Sequence, residues 1–486
     1  MLKSGKLLLV DRGTPPLAYL SSVLALKLTN NDPNKTIVLT DTLKNKKQIN
    51  IYKSYDFKNF ELCFNYSISL LLKNIYLVLK SFYLLIASLI LLKSKGFEWF
   101  KFNFHVEKIY IGDLFHDTNN RYHLRFLDKK IDLYLANILY KSIFRTLKIL
   151  DIIKKKNIKL IVSHHSGYSY NGSISVRVGV KLGIKVFESK ASNYILWNQG
   201  LIRNGFTSLT SSGMSRKKFV NYTNSLSEKK LNNFLKTRFK KKLSNFTGPE
   251  NLRLSNISKK ILKKKDLMRL FKFQNTTIKK IILIAPHAFS DASHVIGTNF
   301  IFQDYYDHLS KTLKFIKKEK IENVLWIVRP HPSSKRYGEE GIIEKLIESI
   351  NYKFIKLCPQ VSTSNLIDLC DNVITGRGTI GLEFACFGKY SLTSGSSAYS
   401  NLGVSLEFKN KKKYFKALKN IFKISKLSKN NTKIAKTIFY YLEVDSQYWK
   451  DIWDYNKCVK IFKGNMLQIK KSNFYKEINF KLEKRL

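Results

Sequence analysis

The sequence predicts an α/β protein made of two parallel-sheet domains. Two observations predict it. Apolar β-type runs alternate with helix-length segments in both halves of the chain. In the later half, three polar loops each follow directly on such a run: IILIAPHAFSDASH, VLWIVRPHPSSKRYGE and NVITGRGTIGLEFACFG. Loops that leave the carboxyl ends of strands in an open α/β sheet gather along one crevice, and ligands bind there. These three supply His, Asp, Arg, Ser, Thr and closely spaced Gly, a set suited to a phosphate-bearing ligand.

Size and composition bound the rest. The 486 residues are enough for two or three domains with their own cores. A hydrophobic content of 44% with 13% aromatics excludes a disordered chain. The formal net charge of +51 raises a nucleic-acid reading. Lysine outnumbers arginine about five to one, however, and the chain is also rich in Asn, Ile, Phe and Tyr. Phosphate- and base-reading surfaces favour the bidentate arginine fork, so the charge fits an AT-rich coding bias or a surface for anionic lipid better. Five scattered cysteines without a CxxC pair exclude a disulfide framework and a zinc site, and fit a reducing compartment. The opening MLKSGKLLLVDRG is too short in apolar residues for a signal peptide.

In chain order, KLLLVDRGTPPLAYLSSVLALKL and KTIVLTD predict strand, loop, helix and strand. The stretch from Ile68 to Leu92 is long enough to cross a bilayer, but Lys73 and Lys80 interrupt it. A buried or partner-facing helix is the first expectation there, and an interfacial helix on an anionic membrane the second. KIYIGDLFHDTNNR predicts a short strand running into a polar loop, and a long amphipathic helix is expected from about Phe126 to Lys156. KLIVSHHSGYSYNGSISVRVGVKLGIKVFES then gives another strand–loop–helix–strand unit. The expected boundaries are an N-terminal domain over 1–245, a Lys-rich linker over 246–278, a second α/β domain over 279–420 and C-terminal helices over 421–486.

Several motifs carry chemistry. Gly376, Gly378 and Gly381 form G-x-G-x-x-G between a strand and a helix. A dinucleotide fingerprint is excluded, because no acid follows about twenty residues on and the motif falls late in its domain. What remains is a glycine turn whose N–H groups approach a phosphate, with Thr379 adding a hydroxyl and Glu383 placed to accept from a ribose. In Arg329-Pro-His331-Pro-Ser333, two prolines fix the backbone around His331 and aim its ring at a leaving phosphate. His287 and Asp291 align if their segment is helical, and His294 follows them. The chain has no Asp-x-Asp element, so no metal is expected. Asp113, Asp117, His164 and His165 are candidates for a general base, and Gly13 and Thr14 line the loop after the first strand.

With these residues in hand, the chain resembles bacterial capsular and surface-polysaccharide glycosyltransferases of the GT-B fold, the group that includes capsule Kdo transferases. YIGDLFHDTNNR, APHAFSDASH, FQDYYDHL, VRPHPSSKRYGE and ITGRGTIGLEFACFGKYSLTSGSSAYSNLG carry it, mostly over 279–403. The resemblance implies two Rossmann-like domains facing across a cleft. It implies a nucleotide-sugar donor, a CMP-sugar in preference, held by the C-terminal domain without a cofactor. His331 then stabilises the departing phosphate. His287, Arg329, Ser333, Thr379, the glycines, Glu383 and Tyr399 hold the donor, with Asp291 beside them. A glycan or lipid-linked glycan acceptor meets Gly13, Thr14, His164 and His165, with Asp113 the first choice of base and Asp117 the second. The setting implied is cytoplasmic, peripheral on the inner face of the membrane, with no nucleic-acid partner. The Gln-Pro element common in Kdo transferases is absent, so Kdo itself is not implied. A CDP-glycerol or CDP-ribitol type transferase on the same fold, a non-enzymatic basic protein and a degenerate scaffold remain alternatives.

Overall fold

The computed structural model describes residues 2, 4–11, 15–41, 46–63, 74–164, 167–189, 194–197, 216–240, 261–274, 277–294 and 299–445. They fall into two compact units. One runs from Met1 to Asn204 without 126–128, and the other from Gly205 to Asp445 with 126–128.

The first unit is built on β1 (Lys6–Val10), β2 (Thr36–Thr40), β3 (Asn59–Leu62), β6 (Ile158–Ser163), β7 (Lys185–Ser189) and β8 (Tyr194–Trp197). Its sheet order is β3-β2-β1-β6-β7-β8, parallel except for β8 against β7. β1 and β2 are almost wholly buried, as continuous apolar strands covered on both faces must be. Leu7, Leu9, Val38, Leu160 and Val162 pack against Tyr19, Tyr52, Tyr55 and Phe57 in one core. A small antiparallel pair, β4 (His105–Val106) and β5 (Ile109–Tyr110), stands apart.

The second unit repeats the plan. Its strands are β9 (Lys280–Ile284), β10 (Val324–Val328), β11 (Ile355–Leu357), β12 (Asn372–Thr375), β13 (Ser391–Thr393) and β14 (Ser405–Glu407). They form an all-parallel sheet ordered β11-β10-β9-β12-β13-β14. Both sheets have the Rossmann-like order, with the direction of winding reversing beside the first strand. The α/β expectation of two Rossmann-like units, the composition of a GT-B chain, is met.

The structure departs from the sequence expectations in three places. The helices Arg216–Ser225 and Glu228–Lys240, expected within the N-terminal domain, belong to the second unit. Their Phe219 and Leu235 pack with Leu382, Ala435, Ile438 and Phe439. The polar loop expected after KIYI is the helix Gly112–Arg121, with nine of its ten residues buried. The Lys-rich stretch expected over 246–278 as a helical connection and linker contains, where described, the helix Lys264–Leu270. The apolar segment forms the helix Ile75–Asn103, and where a buried or partner-facing helix was expected, half of its bulky side chains are exposed and only Leu92 and Phe100 are buried. Trp449 and Trp453 lie outside the described residues.

His308 tests the core of the second unit. It is buried, with its Nε2 3.0 Å from the Tyr414 hydroxyl, and Phe302 is 4.8 Å away ring to ring. Burial pushes its pKa down to about 3 from 6.5. Between pH 6.5 and pH 3 the unfolded chain takes up a proton that the folded chain refuses. His308 therefore lowers stability progressively as pH falls through that window and has no effect above it. Urea unfolding from pH 7.5 to 4.5 should show a shallower pH dependence in His308→Gln than in the wild type. The difference should approach about 1.4 kcal/mol per pH unit.

Candidate nucleotide site in the second unit

The register of three neighbouring strands builds this site. Ile284 of β9 pairs with Val328 of β10 and with Ile374 of β12. The three strands therefore end level, and their loops start side by side. β9 and β12 flank the point where the winding reverses, which is where open α/β sheets leave room for a ligand. His287 stands three residues beyond Ile284, and His331 three beyond Val328.

The two histidines meet. Their rings stack with centroids 5.9 Å apart and planes 17° from parallel. Tyr305 also stacks on His287, at 4.5 Å and 20°. Tyr305 is buried and opens the helix Tyr305–Lys318, whose N-cap Asp304 accepts from the Asp307 N–H at 2.7 Å. Burial, then His331, Arg377 and His308 in that order, hold the His287 pKa well below its ordinary value, so its ring is neutral.

His331 is oriented by its own loop. The Ser333 backbone N–H donates to His331 Nδ1 at 3.2 Å. A neutral His331 therefore carries its proton on Nε2, leaving that atom as a donor. Ser333 acts through its backbone, and its side chain is buried. Glu339 ties this loop to the loop after β9. Its carboxylate accepts from the Phe289 N–H at 3.0 Å and the Ser290 N–H at 2.7 Å, and Ser334 also hydrogen-bonds to it. Burial raises its pKa more than these bonds lower it.

The glycine turn faces the same rings, but its glycines serve space more than hydrogen bonding. A Cβ on Gly376 would lie 2.8 Å from Tyr305 Cε1. One on Gly378 would lie 2.8 Å from Thr375 Oγ1 and 3.6 Å from His287 Nε2, a buried nitrogen without a hydrogen-bond partner. One on Gly381 would lie 2.1 Å from the Tyr399 hydroxyl. The Gly378 N–H donates to Thr375 Oγ1 at 3.2 Å and so is turned inward, not toward a ligand as expected. Thr379 is exposed at the N-cap of the helix Ile380–Ala385, and its hydroxyl caps nothing.

Other expected residues take different places. Tyr399 is buried and donates to the Gly378 carbonyl at 2.7 Å, so it braces the turn from beneath instead of touching a ligand. Asp291 sits exposed on a turn whose N–H donates to the Ala288 carbonyl. The segment is not helical, so the expected alignment of His287 and Asp291 does not form. Arg329 Nη1 donates to Thr363 Oγ1 at 3.0 Å. Glu383 is buried with Arg238 Nη2 3.7 Å from its Oε1, and burial raises its pKa against the pull of Arg238 and Arg329.

The first unit holds a polar group at its own winding reversal. His164 Nε2 lies 2.7 Å from the Asp11 carbonyl, and the Asp11 carboxylate accepts from Thr40 at 2.9 Å and from Tyr52 at 2.7 Å. Gly13, Thr14 and His165 lie outside the described residues. Asp113 is buried in an ion pair with Arg177, and its pKa is raised because burial outweighs that charge. Asp117 Oδ1 lies 3.3 Å from His116 Nδ1, and Asn120 Nδ2 lies 3.4 Å from His116 Nε2.

Sequence reasoning missed Tyr305, Glu339, Tyr52 and Asp11. Tyr305 lies in FQDYYDHL, a resemblance stretch that assigned it no role. Glu339 reads as one of a surface acid pair in RYGEEG.

No family model and no curated protein matches the chain. Among solved structures, it is similar to UDP-GlcNAc 2-epimerase from Methanocaldococcus jannaschii in complex with UDP-GlcNAc and UDP. That match has 14% identity and a TM-score of 0.29, over 90% of this chain and 98% of that one. Thermosulfurimonas dismutans KpsC, a beta Kdo 2,7 transferase, matches with 14% identity and a TM-score of 0.28, over 63% of this chain and 88% of the other. A glycosyltransferase from Rickettsia africae matches with 12% identity and a TM-score of 0.26, over 98% and 99%.

The brace under the turn can be tested by one substitution and its rescue. Gly381→Ala should lower stability by about 1–3 kcal/mol in denaturant unfolding, because its methyl group overlaps the Tyr399 hydroxyl. Adding Tyr399→Phe should recover part of the loss, although that change alone removes a hydrogen bond.

Proposed function

We propose that the protein is a nucleotide-sugar-dependent glycosyltransferase whose second unit holds the donor. The observation that carries this reading is the Tyr305–His287–His331 ring stack facing the 376–381 turn at the winding reversal of a parallel sheet. The chemistry follows from charge. As the bond from the sugar carbon to the phosphate oxygen breaks, negative charge builds on the departing nucleotide. The Nε2–H of His331 donates a hydrogen bond to that oxygen, and the cationic Arg377 in the turn offsets the charge. His287 stays neutral, so the stack carries at most one positive charge, on His331.

The acceptor hydroxyl forms the new bond to the sugar carbon and loses its proton to a general base. The transfer uses no metal in this proposal, a CMP-sugar is the favoured donor, and a surface glycan the favoured acceptor.

Thermal denaturation with CMP, CDP, UDP and GDP tests the donor site. At least one should raise the melting temperature, and none should do so if the second unit holds no nucleotide. His331→Ala should melt as the wild type does while sugar transfer falls by about 10²–10³-fold. Undiminished transfer by that variant would remove His331 from the mechanism.

A further inference from the structure

The helix Ile75–Asn103 of the first unit is packed with its sides exchanged. The residues turned into the protein along it include Asn74, Ser81 and Ser88, spaced seven apart, and then Leu92. The opposite face is bulky and apolar. Tyr83 is 72% exposed, Tyr76 69%, Ile90 64% and Leu79 63%, with Phe82 and Ile86 beside them. These positions recur every three or four residues, so they form one stripe along about four turns. A soluble α/β unit ordinarily buries such a stripe, and exposed apolar patches of this extent mark an interaction surface.

Charge decides what covers the stripe. From Phe64 to Phe97 the chain contains no acidic residue. Lys93 continues the stripe three residues beyond Ile90 and is exposed, as is Lys95. Lys80 is paired with Glu107 at 2.5 Å. The chain carries a formal net charge of +51, which repels a second copy and attracts an anionic surface. The stripe is apolar, so a nucleic acid matches the charge but not the face. An anionic bilayer matches both: acyl chains meet the apolar residues and headgroups meet the lysines.

The helix lies along the unit and does not leave it. Lys148 Nζ donates to Asn74 Oδ1 at 3.0 Å at one end. At the other, Tyr110 donates to the Lys101 carbonyl at 2.8 Å, and a Cβ on Gly112 would lie 2.5 Å from the Phe100 and Lys101 carbonyls. Midway, Phe82 meets Tyr140 of the helix Leu133–Lys155 at 5.0 Å. A span would have to break all of these. At Gly96 the backbone leaves helical geometry, with φ 79° and ψ 166°, so the straight apolar part ends next to Lys93 and Lys95.

We infer that this helix docks the protein on an anionic membrane surface, lying in the headgroup layer with the Tyr76–Ile90 stripe toward the acyl chains. The inference rests on the first unit alone and stands whatever the second unit binds.

Flotation of the full chain with vesicles tests it. The protein should float with vesicles of phosphatidylcholine and phosphatidylglycerol and float weakly with phosphatidylcholine alone. The double variant Tyr83→Glu/Ile86→Glu should melt as the wild type does and lose at least about tenfold in the bound fraction. Failure to float with anionic vesicles overturns the inference. Undiminished flotation of the double variant also overturns it, since net charge alone would then hold the protein. Hydrogen exchange on the unaltered chain gives a second measurement. Amides from Ile75 to Lys95 should slow when anionic vesicles are added, and unchanged exchange there during binding would place the contact elsewhere and overturn the inference. A lipid-free dimer abolished by the double variant would assign the stripe to a second copy. Nucleic acid retained by the wild type and lost from the variant would assign it to that polymer. Either result overturns the membrane assignment.

Discussion

Level pairing of three parallel strands is the constraint on which the second unit's site depends. Ile284, Val328 and Ile374 share one level across the sheet, so three loops distant in sequence start together. The reversal of winding between β9 and β12 keeps crossover helices from closing that edge. A shift of two residues in β10 would move His331 about 7 Å along the strand direction and separate it from His287. The apolar strands IILI and VLWIV, buried on both faces, fix the register because a slip would disrupt packing on both sides at once.

Around that frame, rigidity comes from below and reactivity is left above. Tyr399 supports the turn through the Gly378 carbonyl, and Gly381 leaves the space that its hydroxyl needs. Glu339 spans two loops with one carboxylate, so the histidines it supports keep their relative position without contacting it. Thr379 is exposed, and His331, Arg377, Gly378 and His287 are part-exposed, although the Nε2 of His287 is buried. His287 is neutral because charging it would cost desolvation beside other cations.

The architecture was legible in the sequence because parallel sheets advertise themselves. KLLLV, TIVLT, KIILI and VLWIV are unbroken apolar runs, and polar loops follow them. His287, His331 and the glycines were legible for the same reason, since each lies a fixed short distance beyond a strand. Roles set by long-range contact were not legible. Tyr399 occurs within a polar loop, SSAYSNLG, and only the fold puts its hydroxyl beneath Gly378, twenty-one residues earlier. Asp113 reads as a free acid until Arg177, sixty-four residues on, is folded against it. The helix Gly112–Arg121 is so polar that its pattern argues for a loop, and burial, not propensity, holds it helical. The boundary near 245 failed because lysine-rich helices resemble linkers until Phe219 and Leu235 find the second unit's core.

The helix Ile75–Asn103 marks a different limit. A hydrophobic repeat reveals that a helix has two faces but not which one the protein keeps. Here the small residues Ser81 and Ser88 are buried, while Tyr76, Leu79, Tyr83, Ile86 and Ile90 are exposed, and the half-exposed Phe82 rests on Tyr140 of the helix Leu133–Lys155. Exposed apolar area of that extent drives association unless something opposes it. The excess of lysine opposes it between copies, since like-charged surfaces repel, and it has no such effect toward an anionic layer. Composition and packing thus act together. A coding bias would raise lysine throughout the chain and would not explain the absence of every Asp and Glu from Phe64 to Phe97. Among the described residues, that absence covers the apolar part of the helix Ile75–Asn103, whose apolar side faces outward, which ties the charge pattern to the surface.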